Sequence, residues 1–313
     1  MERRHFLTNV SVGAVATGMS LTGHASVARR DSRLTFVFVH GAWHGGWCWS
    51  NVISLLARQG VQGITLDLPG HGLSAQFPAA YAPGAPNAGG LSTEISPLAS
   101  ISLADYRDHV LAIIRGLVSE GRGPVVLVGH SLGGVTLNAV AEAEPSLVKK
   151  LVYLTAFVPV AEPTVLDYLQ QPNFVGSGLP PLFYGDPSKL GAARINPNSG
   201  DATYVARVRD ALYSDVPPSV LSATLNMLTP DEPIRGLSDP ATVSPGHWGT
   251  VPRTFIRCTR DNAIPLAAQD QMIAEANRLT PYNPFRVETL DSSHSSFLSR
   301  PAELADLLLE AAQ

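Results

Sequence analysis

Charge is scarce in this chain. Asp, Glu, Lys and Arg make up 15% of its 313 residues, with 26 acidic against 22 basic and a net charge of −4. That balance, with no basic stripe, excludes a nucleic-acid binder, which needs a concentrated cationic surface. It also excludes a charged coiled coil or a disordered chain, because 45% of the residues are hydrophobic. Cysteine is nearly absent. Cys48 and Cys258 are too few for a disulfide framework or a four-cysteine zinc site. One pair formed in an oxidising compartment and two separate buried thiols are the alternatives. No internal repeat is present.

The first acidic residue after Glu2 is Asp31. Between them stand Arg3, Arg4, Phe6 and Leu7, then a mild apolar stretch over 9–23 rich in Gly, Ala, Ser, Thr and Val. A basic start, an apolar middle and a small-residue exit are the layout of a signal peptide. Arg-Arg-x-Phe-Leu resembles the bacterial twin-arginine signal, so residues 1–28 are expected to direct export to the periplasm or medium. Ala25 and Ala28 are alternative cleavage positions. The stretch is too short and too polar to span a bilayer, so no stable membrane span is expected after its removal.

The remainder alternates buried strands with amphipathic helices. Strands are expected at 34–39, 64–68, 124–128, 150–157, 253–259 and 285–290, and helices at 49–58, from Ser102, from Ser131 to 143, at 266–278 and at 301–312. Ser102 and Asp105 have capping-box spacing. Residues 75–100, rich in Ala, Pro, Gly and Ser, read as a long surface loop. The alternation predicts an α/β fold, a mostly parallel doubly wound sheet. Residues 29–159 and 251–313 form its core. Residues 160–250, proline-rich with short helical patterns at 204–212 and 219–228, read as a helical cap inserted over the C-terminal edge of the sheet, where such folds hold their ligands.

Gly129-His130-Ser131-Leu132-Gly133 fits Gly-x-Ser-x-Gly between a buried strand and a helix. A turn that tight pushes the Ser131 hydroxyl out toward a substrate and aims the free N–H groups of a helix start at the same place. A serine nucleophile needs a base. Of the nine histidines, His294 follows the last strand and completes the order serine, acid, histidine; His247, within the cap, is the weaker substitute. Asp261, directly after the fifth strand, is the favoured acid to orient that base, with Asp291 as its rival. An oxyanion hole would use the N–H of Leu132 and, from the loop after the first strand, that of Ala42. His40 is expected to shape that loop. Candidate substrate contacts are Gly41, Trp43, His130 and Phe157, although the elbow should turn the His130 side chain away. Further apolar walls are sought among Leu166, Tyr168, Leu169, Phe183, Tyr184, Leu225 and Leu228.

These residues resemble the α/β-hydrolase superfamily, and within it the plant methyl esterase and hydroxynitrile lyase family with its bacterial ester-hydrolysing relatives. The carriers are the runs 40–47, 129–134 and 258–265, and His294. The resemblance implies a serine carboxylesterase-type hydrolase acting on small to medium hydrophobic esters, without metal or cofactor. Ser131 would be the nucleophile, His294 the base, Asp261 the acid, and Ala42 and Leu132 the oxyanion donors. Gly41 and Ser295 stand where the lyases carry threonine and lysine. Loss of the lysine charge argues against lyase chemistry, because nothing then holds the cyanide leaving group. Amide, lactone or thioester cleavage and a non-catalytic ligand-binding role remain alternatives. The expected partner is a small-molecule ester, with homodimerisation open.

Overall fold

A computed structural model describes residues 34–81 and 88–313. The expected signal peptide and both cleavage positions lie outside the described residues. Among the described residues, no helix is long and apolar enough to cross a membrane.

Six parallel strands form the central sheet: β1 (Thr35–Val39), β2 (Gln62–Thr65), β3 (Val125–His130), β4 (Val148–Leu154), β7 (Arg253–Cys258) and β8 (Arg286–Leu290), in the order β2-β1-β3-β4-β7-β8. β1 and β3 are buried along their whole length, so both faces are apolar, as a sheet covered by helices requires. Phe36, Phe38, Val126 and Val128 enter one core with α1 (Ser50–Arg58) and α8 (Pro301–Ala311). Val37, Val39, Val125 and Leu127 enter the other, with α2 (Leu103–Ser119), α3 (Gly133–Ala143) and α7 (Leu266–Leu279). The capping box holds: the Ser102 side chain accepts from the Asp105 N–H and Asp105 accepts from that of Ser102. Cys48 and Cys258 are both buried and unpaired.

Between β4 and β7 lie the short helices α4 (Val165–Leu169), α5 (Ala202–Leu212) and α6 (Pro218–Met227), and a two-stranded antiparallel sheet of β5 (Ala192–Arg194) and β6 (Asp231–Pro233). Arg194 is fully buried. Its guanidinium makes two bonds to Asp231, at 2.6 and 2.8 Å, and donates to the carbonyls of Leu91 and Glu94.

Four expectations need correction. β2 spans Gln62–Thr65 rather than 64–68: its ladder with β1 ends at Thr65, and the Leu68 N–H donates to the His40 ring at 3.0 Å instead. β4 stops at Leu154 because Thr155 has φ +36°, which no strand residue adopts. α3 begins at Gly133 rather than at Ser131, whose φ of +52° is not helical. Residues 75–100 are not a plain surface loop, since Leu91 and Leu98 are buried and Arg194 holds two of the carbonyls.

Candidate active site

All strands of the central sheet point the same way, so the loops after β1, β3, β4, β7 and β8 gather at one edge. They carry Ala42, Ser131, Thr155, Asp261 and His294 respectively. β1 and β3 are neighbours while β2 lies outside β1. The chain therefore reverses direction across the sheet between Ala42 and Ser131, the place where open α/β sheets bind ligands.

Ser131 is buried and left-handed, a conformation costing a non-glycine residue about 1–3 kcal/mol. Its own backbone overrides that cost. Its N–H donates to the Leu154 carbonyl, and its carbonyl accepts from the N–H groups of Gly134 and Phe157. The turn closes only without side chains beside it. A Cβ on Gly133 would sit 2.7 Å from the His40 carbonyl oxygen, and one on Gly41 would sit 2.8 Å from the Ser131 Cβ.

His294 Nδ1 lies 2.6 Å from Asp261 Oδ2, and both side chains are buried. Asp261 Oδ2 also accepts from the Thr155 hydroxyl, while Oδ1 accepts from the N–H groups of Ala263 at 2.7 Å and Ile264 at 2.9 Å. A carboxylate with four donors around it only accepts. Three of those donors are independent of the ring, so His294 Nδ1 is the donor in the fourth contact, and the opposite nitrogen, Nε2, makes no hydrogen bond among the described residues. The rival, Asp291, is exposed and bound to Arg260 and Thr259. His247 pairs with Glu142 at 3.4 Å on the surface. The Ser131 hydroxyl makes no hydrogen bond to His294 among the described residues; such contacts commonly close only when substrate is present.

His130 turns behind the serine. Its Nε2 donates to the His294 carbonyl at 2.9 Å, and its Nδ1 is buried without a partner. Burial, with His294 and His44 nearby, holds its pKa well below the usual histidine value. His40 is likewise buried and driven down by burial and by His71. Its Nε2 accepts from Leu68, so Nδ1 carries the hydrogen donated to the Gly41 carbonyl at 2.9 Å.

A narrow cavity of about 20 Å³ opens beside Ser131. Ala42, Trp43, Leu132 and Phe157 of the sheet-edge loops line it together with Val165, Leu169, Leu179, Phe183 and Leu237 of the insertion. Trp43 and Phe157 are thus at the cavity, as are Leu169 and Phe183. Gly41 and His130 are not, because one packs against the serine and the other faces His294. Leu166, Tyr184, Leu225 and Leu228 also lie outside the lining. Tyr168 is a strut, its hydroxyl bound by Glu275 and by the N–H groups of Val160 and Ala161. Thr155 and the wall residues Val165, Leu179 and Leu237 had no sequence signal beyond being apolar or β-branched.

Comparison with known proteins agrees with this architecture. The profile of the "Alpha/beta hydrolase family" matches residues 36–307. "Methylesterase 1" of Arabidopsis thaliana is 30% identical over 287 residues, covering 88% of this chain and 95% of that protein. "Methyl jasmonate esterase 1" of Vitis vinifera is 28% identical, covering 88% and 95%. Against two chloroplastic putative methylesterases of Arabidopsis thaliana the match spans 56% and 64% of their lengths, so the chain spans only about half to two thirds of those relatives. Among solved structures, a pyrethroid hydrolase from Sphingobium faniae superimposes with a TM-score of 0.69 at 23% identity, covering 89% of this chain and 97% of that one. The methylesterase MES16 from Arabidopsis does so with a TM-score of 0.63 at 25% identity, covering 89% and 98%. The chain belongs to the α/β-hydrolase family.

Proposed function

We propose that this protein is a serine esterase that hydrolyses neutral carboxylic esters through an acyl-enzyme. The single observation carrying this reading is the buried His294–Asp261 pair, which leaves a free imidazole nitrogen at the sheet edge that bears the strained Ser131. Similarity to the plant methylesterases supports ester chemistry.

In this mechanism Ser131 Oγ bonds to the ester carbonyl carbon as His294 Nε2 takes its proton. The negative charge developing on the carbonyl oxygen is met by the N–H groups of Ala42 and Leu132. Neither donates to a protein acceptor among the described residues. The C–O bond to the alcohol then breaks, and the alcohol leaves with the proton from His294. Water, deprotonated by His294, attacks the acyl-enzyme, and Ser131 is released with that proton. The cavity lining contains no charged side chain. The lining therefore suits an uncharged, apolar acyl group, whereas one bearing a free carboxylate would be desolvated without a partner. Residues 160–250 act as the cap that supplies half of these walls.

The test is hydrolysis of p-nitrophenyl esters from acetate to long chains, with matching amide, lactone and thioester substrates, by the wild type and Ser131→Ala. Ester turnover that vanishes in Ser131→Ala, with acyl mass trapped on Ser131, is expected. Folded protein inactive on every ester, or turnover surviving in Ser131→Ala, would overturn the proposal.

A further inference from the structure

The loop that offers the Ala42 N–H is held by an unusual set of contacts. Trp43 is left-handed, with φ +61°, a rare conformation for a large side chain. Two successive peptide planes fix it. In the first, the Gly41 carbonyl accepts from His40 Nδ1 at 2.9 Å and from the His44 N–H at 3.3 Å. Because a trans peptide points its N–H opposite to its C=O, this aims the Ala42 N–H. In the second, the Ala42 carbonyl accepts from His44 Nδ1 at 2.8 Å, and the Trp43 N–H donates to Glu232 Oε2 at 3.2 Å. The plane is clamped at both ends.

Each clamp has its own backing. The Tyr213 hydroxyl donates to His44 Nε2 at 2.8 Å, which leaves His44 Nδ1 as the donor to Ala42. Glu232 is 1% exposed and receives His71 Nε2 at 2.9 Å on Oε2 and the Tyr106 hydroxyl at 2.9 Å on Oε1. Trp43 is pinned twice more, its indole N–H on the Ala193 carbonyl at 2.8 Å and its own carbonyl on the Thr229 N–H at 2.9 Å. Tyr213, Thr229, Glu232 and Ala193 all come from the insertion between β4 and β7.

We propose that Glu232 and His44, the latter backed by Tyr213, are positioning residues for the oxyanion hole. By clamping the Ala42–Trp43 peptide they fix the far side of Ala42, so that the preceding Gly41–Ala42 plane, which carries the Ala42 N–H, stays where the oxyanion forms. The insertion thus sets the rate of the chemical step as well as the walls of the cavity. This rests on the serine-esterase reading. Three donors converge on Glu232, and a glutamine there would bring two hydrogens of its own. It cannot accept all three, so the clamp loosens while the volume stays the same.

The experiment compares Glu232→Gln and Tyr213→Phe with Tyr153→Phe, which removes a buried hydroxyl bonded to Asn138 and Trp248, away from the clamp. kcat and KM are measured on p-nitrophenyl butyrate, together with inhibition by an aryl trifluoromethyl ketone, whose serine adduct carries an oxyanion. Full loss of one oxyanion donor costs about 10²–10³ in rate, so a displaced donor should cost about 10–100-fold in kcat. Glu232→Gln is expected to show that loss, an equal loss of ketone affinity and a nearly unchanged KM. Tyr213→Phe should show the same split, more weakly, and carries the test alone if Glu232→Gln does not fold. Tyr153→Phe should lower thermal stability with little change in kcat. Unchanged kcat in Glu232→Gln and Tyr213→Phe, equal kcat losses in all three variants, or a kcat loss without loss of ketone affinity would overturn the proposal. Retained turnover in Ser131→Ala would instead overturn the esterase reading, so the two failures are distinguishable.

Discussion

Thr155 and His294 meet on one oxygen. The Oδ2 atom of Asp261 accepts the Thr155 hydroxyl and lies 2.6 Å from His294 Nδ1. The threonine is held at φ +36° to make that contact, a strained conformation for a β-branched residue. The end of β4 thereby orients a carboxylate that follows β7, and the carboxylate orients an imidazole that follows β8.

Asp261→Asn should therefore be far more damaging than Asp291→Asn. An asparagine amide facing His294 Nδ1 would favour the wrong tautomer, and such replacements in serine triads cost about 10⁴ in kcat. Asp291, exposed beside Arg260, should change kcat by less than about threefold, in line with a surface ion pair. Steady-state rates of the two variants decide it, and the reverse order would reassign the acid.

Gly133→Ala should be severe for a different reason. The added methyl would meet the carbonyl oxygens of His40 at 2.7 Å and Val39 at 3.0 Å. Both are backbone atoms at the end of β1 and cannot swing aside. Overpacking of this kind costs about 1–3 kcal/mol or more. A loss of that size in urea unfolding is expected, along with lost activity; a variant as stable as wild type would show that the elbow can shift.

The buried histidines should make the fold sensitive to acid. Burial takes the pKa of His44 down to about 3 from 6.5, and His40 and His130 are also well below that ordinary value. The unfolded chain takes up these protons first. The stability they contribute is whole above about pH 6.5 and is lost as pH falls toward the folded values. His71 runs the other way. Burial lowers its pKa, but Glu232 more than offsets this, helped by the Pro69 carbonyl, and raises it above 6.5. Its contribution is present below pH 6.5 and lost as pH rises through the folded value. Urea unfolding at pH 7 and pH 4.5 should show a large drop for wild type and a smaller one for His44→Gln. Equal drops would mean that His44 does not titrate in this way.

Phe183→Ala should widen the cavity beside Ser131 at modest cost. Phe183 is only partly buried, lines the cavity and lies 6.2 Å from the Trp43 ring. The optimum chain length in a p-nitrophenyl ester series should move to longer acyl groups, with a small fall in melting temperature. An unmoved optimum would place the acyl group elsewhere.

Local chemistry made much of this legible. Gly129, Ser131 and Gly133 announce a tight turn because their spacing is within one turn of chain, and the apolar run before them marks the strand. Asp261 and His294 could be chosen because each follows a strand directly in a parallel sheet. Tyr213 and Glu232 carry no such mark. Their partners, His44 and Trp43, lie 169 and 189 residues away, and no periodicity or spacing reports on contacts of that range. Asp215, which accepts the Ser293 N–H at 3.1 Å next to His294, carries no such mark for the same reason.

The sequence by itself determined the class of fold, the elbow serine and the side of the sheet where its partners had to gather, because strand period, glycine spacing and chain order are local properties. Only the tertiary structure decided that Asp261 rather than Asp291 faces His294, and that His130 braces the His294 loop instead of lining the cavity. It also decided which apolar residues of the insertion reach Ser131, and what holds Trp43 left-handed. Those outcomes depend on side-chain directions and on buried donors finding acceptors across the whole chain, and that matching exists only once the core has closed.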